Sequence, residues 1–129
     1  MIKVITLKQP WASLIANGYK KYEFRSWNTK YRGKLYIHAG KGIDREYIKK
    51  YKSLNIDFPS SKVLAVCNLE DVIKLDKETN KKINQRNEFI YGNNNREGYA
   101  WVLSDVKKIS SNKTINGKLS IWSMDEKEL

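Results

Sequence analysis

Between Lys20 and Arg25 the chain reads KKYEFR, one carboxylate set among three cations. In an extended strand Tyr22 and Phe24 face one way and Lys21, Glu23 and Arg25 the other. Facing solvent, such a row is an ordinary salt-bridge ladder, each exposed pair contributing at most about 1 kcal/mol. Lining a cavity, it has different chemistry: Glu23 accepts from a base's amino group while the cations hold phosphate or carbonyl oxygens. The residues alone leave both readings open.

The neighbouring residues extend the second reading. Ser26 to Gly33 (SWNTKYRG) interleaves Trp27 and Tyr31 with Arg32, offering π faces for base stacking and a cation for the backbone. Gln9 and Pro10 precede Trp11, which either anchors the core from the start of a helix or walls a pocket and stacks on a base. His38 is the only histidine; at a strand end such a residue is more often a hydrogen-bonded structural group than a base. Gly40-Lys41-Gly42 is a hinge-like turn without P-loop spacing, with Lys41 a candidate for a phosphate. No second histidine or cysteine cluster exists, so neither a metal site nor a cofactor is expected.

The basic charge is unevenly distributed. Residues 1–52 hold 13 Lys and Arg against 3 Asp and Glu, whereas residues 53–129 hold 12 against 11. An AT-rich genome enriches lysine along a whole chain and does not produce that asymmetry. One-sided positive charge raises the local concentration of phosphate-bearing partners. Apolar runs such as VLAVC at 63–67 are short, no N-terminal signal pattern is seen, and Cys67 sits in an apolar run as a small buried hydrophobe. These features point to one soluble, cytoplasmic domain with no membrane partner.

The elements that must position these residues follow from periodicity. Ile2 to Thr6 alternates as a strand; Trp11, Leu14 and Ile15 share a helical face, and Asn17-Gly18 stops that helix with Gly18 in the left-handed region. Tyr19 to Trp27 and Lys34 to Ala39 read as strands, and Ile43 to Lys52 as a helix with Ile43, Tyr47, Ile48 and Tyr51 inward. Ser53 to Ser61 is a loop. Lys62 to Leu75 is a long central strand with a bend near Asn68. Asp76 to Gln85 is a loosely docked helix or excursion, and Arg86 to Gly98 a long turn with an asparagine-rich mobile tip. Tyr99 to Val106 is a strand, Asn116-Gly117 a tight turn, and Gly117 to Met124 the closing strand. One domain over residues 1–124 with a frayed tail at 125–129 is expected. Five or six mostly short strands without βαβ alternation predict an α+β fold, a bent, mainly antiparallel sheet or barrel decorated by short helices.

QPWASLI at 9–15, G-Y-K-K-Y-E-F-R at 18–25 and W-x3-Y-R-G-x-L-x-I-H-A at 27–39 resemble the ASCH domain family, as do VLAVCNLEDV at 63–72, GYAWVLSDV at 98–106 and GKLSIW at 117–122. The likeness spans nearly the whole chain, and G-x-K-x-x-E-x-R after the QPWA-type helix is its most specific part. The resemblance implies a PUA-like β-barrel, a pocket between the first helix and the barrel, and a role in RNA or modified-nucleotide metabolism. It selects Lys20, Glu23 and Arg25 as pocket residues. Strand parity favours Lys21 over Lys20, so a turn or bulge after Gly18 is needed to bring Lys20 inward.

Three functions follow as expectations. The first is a module binding RNA, a nucleotide or a modified nucleoside, with Lys20, Arg25, Arg32 and Lys41 on phosphates and Trp11, Trp27 or Tyr31 on a base. The second is a small hydrolase, an amidohydrolase or nuclease, with Glu23 as base and Lys20 as its electrostatic partner. Some small family members remove the acyl group of acetylated cytidine with a lysine, a threonine three positions later and a distant glutamate. Here Glu23 stands in the threonine's place, a carboxylate being a poor acyl-transfer nucleophile, and Glu70, Glu88 and Glu97 all compete for the distant position. The third is a protein-interaction module whose basic face meets an acidic protein.

Overall fold

The computed structural model describes all residues, 1–129. Strand β1 (Ile2–Gln9) runs directly into helix α1 (Trp11–Ala16), followed by β2 (Tyr22–Arg25), β3 (Gly33–Ile43) and α2 (Arg45–Lys50). After a loop come β4 (Lys62–Lys74), α3 (Lys77–Arg86), α4 (Glu88–Tyr91), β5 (Tyr99–Lys108) and β6 (Ile121–Met124). The six strands form one mixed sheet in the order β2-β5-β4-β3-β1-β6. β1 and β3 are parallel, with Val4 opposite Tyr36 and Thr6 opposite His38, while the other four pairings are antiparallel. No helix is long and apolar enough to cross a membrane.

The sheet is mainly antiparallel and bent as expected, but its hydrogen bonds do not close a barrel. β2 and β6 stand at opposite edges, each only four residues long. The bend expected near Asn68 coincides with register shifts between Val66 and Asn68 and between Leu69 and Asp71 on β4. Each extra residue coils the strand locally, as a β-bulge does.

The core has three parts. Ile5, Leu7, Ile15, Leu35, Ile37, Leu69 and Trp101 fill the space under α1. Leu14, Tyr51, Leu75, Ile83, Ile90, Tyr91 and Ala100 form a second cluster beneath the later helices, and Val4, Tyr36, Val63, Trp122 and Met124 a third on the opposite face.

Several expectations change, and Gly40-Lys41-Gly42 is part of strand β3 rather than a hinge-like turn. Of the two readings of the stretch after Asp76 the helix holds, but it is capped and docked rather than loose: the Asp76 carboxylate accepts from the Thr79 amide at 2.8 Å, and Asn80 and Ile83 are buried. The long turn at 86–98 contains α4, whose Ile90 and Tyr91 are buried. Ile43 ends β3 half exposed instead of turning inward. Residues 109–120 form no hairpin at Asn116-Gly117; β6 crosses to pair with β1, because Ile109 and Ile115 pack against the Trp122 cluster.

Candidate functional site

α1 ends where Gly18, with φ of +83°, takes the left-handed conformation foreseen for it. The amides of Tyr19 and Lys20 both donate to the Leu14 carbonyl, at 2.9 and 3.1 Å. That tight turn reverses the chain before β2 begins, so Lys20 obeys the turn rather than the strand alternation. Lys20 is 3% exposed, and Lys21 points to solvent.

The Lys20 ammonium lies among rings, 4.2 Å from the centroid of Phe24, 5.7 Å from Tyr91 and 5.9 Å from Trp11. It donates to the Tyr22 carbonyl and stands 3.5 Å from Glu23 Oε1, while Arg25 Nη1 is 3.5 Å from Glu23 Oε2. Burial pushes the Lys20 amine down to about 8, against the opposing pull of the Glu23 carboxylate. Desolvation disfavours the ammonium, and the rings and Glu23 only partly offset it.

These groups face a cavity of about 550 Å³ between α1, β2, α2 and the α4 loop. Trp11, Phe24, Tyr47, Ile90 and Tyr91 supply its apolar surface, and Lys8, Lys20, Arg25, Lys50 and Arg96 converge on it with Glu23 as the single carboxylate. The Trp11 ring meets Tyr47 at 4.7 Å, so it walls the cavity while Leu14 and Ile15 of the same helix are fully buried. Trp11 thus joins its two alternatives, walling the cavity while also packing against the second core cluster.

Arg96 is a site residue that sequence reasoning missed. Its guanidinium stacks 4.0 Å over Phe24 and donates to Asn80 Oδ1 at 3.1 Å, Asn84 Oδ1 at 3.0 Å and the Tyr91 carbonyl. The Asn80 side chain returns a bond to the Arg96 carbonyl at 2.8 Å. The asparagine-rich loop is therefore fastened to α3, and Arg96 is held as a cavity wall. Asn80 and Asn84, one helical turn apart on a helix facing that loop, are the signal that marks it.

Of the residues singled out from sequence, Trp11, Lys20, Glu23 and Arg25 meet in the cavity, and the others lie outside its lining. Gln9 is fully buried and works on α1 itself: its Oε1 accepts from the Ser13 amide at 3.0 Å and its Nε2 donates to Ser13 Oγ at 2.7 Å and the Pro59 carbonyl at 2.8 Å. Trp27 packs edge-on against the buried Trp101 at 4.8 Å, under the Arg25 guanidinium at 5.6 Å. Tyr31 and Arg32 close their own loop, Arg32 donating to the Thr29 and Tyr31 carbonyls.

His38 is fully buried and structural. Its Nε2–H donates to the Ile115 carbonyl at 2.6 Å and its Nδ1 accepts from Thr6 Oγ1 at 3.1 Å. That hydroxyl in turn accepts from Trp122 Nε1 at 3.0 Å, a relay tying β1, β3 and β6 together. Lys41 is exposed in a separate depression.

The ASCH domain model matches residues 5–113. Activating signal cointegrator 1 of Mus musculus is 28% identical over 137 aligned positions, which take in 95% of this chain and 22% of that protein. The Homo sapiens protein of the same name is 27% identical over the same shares. The chain thus spans about a fifth of the length of these relatives. The crystal structure of ASCH from Zymomonas mobilis has a TM-score of 0.61 at 21% identity, over 98% of this chain and 89% of that one, a likeness of fold.

Proposed function

The chain belongs to the ASCH domain family, and from that premise we propose that its cavity binds RNA or a nucleotide, one base entering between the aromatic walls. The observation that carries this reading is the convergence of Lys8, Lys20, Arg25, Lys50 and Arg96 with one buried carboxylate on a space walled by Trp11, Phe24, Tyr47 and Tyr91. Rings offer stacking at about 1–3 kcal/mol per base. The exposed cations at the mouth suit phosphate, and Glu23, 7% exposed, accepts from an exocyclic amino group.

The test is anisotropy of labelled single-stranded RNA across a salt series. Affinity falls steeply with salt if phosphates are neutralised. Glu23→Gln weakens binding of bases that present an amino group, adenine and cytosine, and spares uracil. Undetectable binding at low ionic strength overturns the proposal. A protein partner captured equally well after nuclease treatment favours the interaction-module reading instead.

One observation favours hydrolysis as a second reading: a lysine pushed down to about 8 beside a buried carboxylate, inside a cavity. Glu23 would take a proton from water as the water oxygen bonds to the acyl carbon, Lys20 would stabilise the oxyanion, and the proton would pass to the departing amine. In this reading a water is the nucleophile; the Thr6 hydroxyl donates to His38 Nδ1 and accepts from Trp122 Nε1. Release of acid from acylated nucleosides, lost in Glu23→Gln and Lys20→Ala, tests it.

A further inference from the structure

We propose that the cavity is one end of a longer groove, and that the phosphodiester of an adjoining nucleotide lies in a second depression between Lys41 and Lys118. This rests on the nucleic-acid reading of the cavity and extends it from one nucleotide to a strand.

The second depression, about 390 Å³, is lined by Gly40, Lys41, Ser61, Asn116, Gly117 and Lys118 with Thr6 and Leu119. Thr6 lines both spaces, which places them beside one residue of β1. No carboxylate lines the depression. Its partners for an anion are two ammonium groups, a serine hydroxyl and an asparagine amide, a set suited to phosphate oxygens.

Glycines keep the junction low. A Cβ at Gly40 would come 2.8 Å from Thr6 Cγ2, and one at Gly117 would come 2.7 Å from the same atom. Only backbone fits against Thr6 at those two positions, so the side chains at the junction are Thr6 itself and Lys8. On the cavity side Lys8 lies along Gly42, where a Cβ would meet its Cγ at 2.9 Å. Lys8 thus stands between the Lys20 and Lys50 end of the groove and the Lys41 and Lys118 end.

The floor is also fixed. The Ile115 amide donates to the Ser61 carbonyl at 2.8 Å, its carbonyl accepts from His38, and Thr6 is held from both sides by His38 and Trp122. Lys41 projects from β3, and a lysine on a fixed strand loses less freedom on binding than one on a loop. At the rim Leu119 is 93% exposed, an apolar surface for the ribose or base that follows.

The experiment compares Lys41→Ala/Lys118→Ala with the unaltered chain, using pentaadenylate, pentacytidylate and the corresponding mononucleotides at several salt concentrations. Both lysines are exposed, and an unchanged melting temperature verifies the fold. The double variant is expected to bind the pentamers about tenfold more weakly at low salt and to flatten the log K against log salt slope by about 1.4, roughly 0.7 per lost contact. Mononucleotide affinity stays as it was. Equal pentamer affinity and slope in both proteins overturns the groove while leaving the cavity reading intact. Equal losses for pentamer and mononucleotide also overturn it, since the depression then serves no separate nucleotide. If the unaltered chain binds neither ligand, the cavity reading falls first and the groove with it.

Discussion

Replacing Lys20 with methionine isolates the free energy of holding an ammonium in the cavity. The folded amine is pushed down to about 8, against about 10.4 in an unfolded chain. Below pH 8 both states carry the proton, and the native state bears the full cost of burying it. Between pH 8 and about 10.4 the native state releases the proton while the unfolded state keeps it, so the unaltered chain gains stability relative to Lys20→Met as pH rises. The gap corresponds to about 3 kcal/mol, accumulating at up to about 1.4 kcal/mol per pH unit. The Cys67 thiol and Tyr51 hydroxyl, both pushed up to about 12 by burial, act in the opposite direction. They are common to both chains and cancel in the difference. Urea unfolding of the two proteins at half-unit steps from pH 7 to 10.5 reads this directly. In Glu23→Gln the onset moves below pH 8, because the carboxylate 3.5 Å away no longer holds the proton in place. A difference between the unaltered chain and Lys20→Met that stays flat within about 0.5 kcal/mol refutes the argument.

Two further outcomes concern Arg96 and the β2–β5 junction. Arg96→Ala removes the partner of Asn80, Asn84 and the Tyr91 carbonyl and is expected to cost about 1–3 kcal/mol, with faster amide exchange over residues 92–98; unchanged exchange would show that Arg96 does not anchor the loop. Gly98→Ala puts a Cβ 2.5 Å from the Arg25 carbonyl oxygen at a φ of +94° and should lower stability by more than about 1 kcal/mol, read as a fall in urea midpoint; a stable variant would mean that the β2–β5 junction yields.

How legible the site was depended on whether its residues lie close in sequence. Four of its five cations, Lys8, Lys20, Arg25 and Lys50, come from the basic first 52 residues, so the charge asymmetry was a direct trace of the cavity. Lys20 needed the family pattern as well, because period-two alternation fails where the chain is still turning out of α1. Arg96 stayed hidden because NNNRE is polar and turn-rich, and what orders it is a helix over ten residues upstream. Gln9, Tyr31, Arg32 and His38 have side chains that bind nucleic acids readily, yet each is consumed by a backbone contact, near in sequence for Tyr31 and Arg32 and distant for Gln9 and His38, that composition does not reveal. In the fold, strand positions were readable from alternation. The parallel pairing of β1 with β3 and the return of β6 to β1 are long-range choices with no short-range trace.

The pairing of β1 with β6 sets an order of events during synthesis. Ile2 lies opposite Met124 and Val4 opposite Trp122, so the residues of β1 wait for residues made more than a hundred positions later. Until Trp122 has left the ribosome, one edge of β1 lacks its partner and the Thr6 hydroxyl lacks the indole donor that completes its relay. An unpaired apolar edge invites pairing with other chains, and contacts of such long range slow folding. Before β6 emerges the nascent chain can assemble β2 to β5 and most of the cavity, but it cannot seal the sheet. Translation speed between the segments encoding β5 and β6, and chaperones that shield strand edges, would therefore act on the yield of folded protein more than on the stability of the finished one.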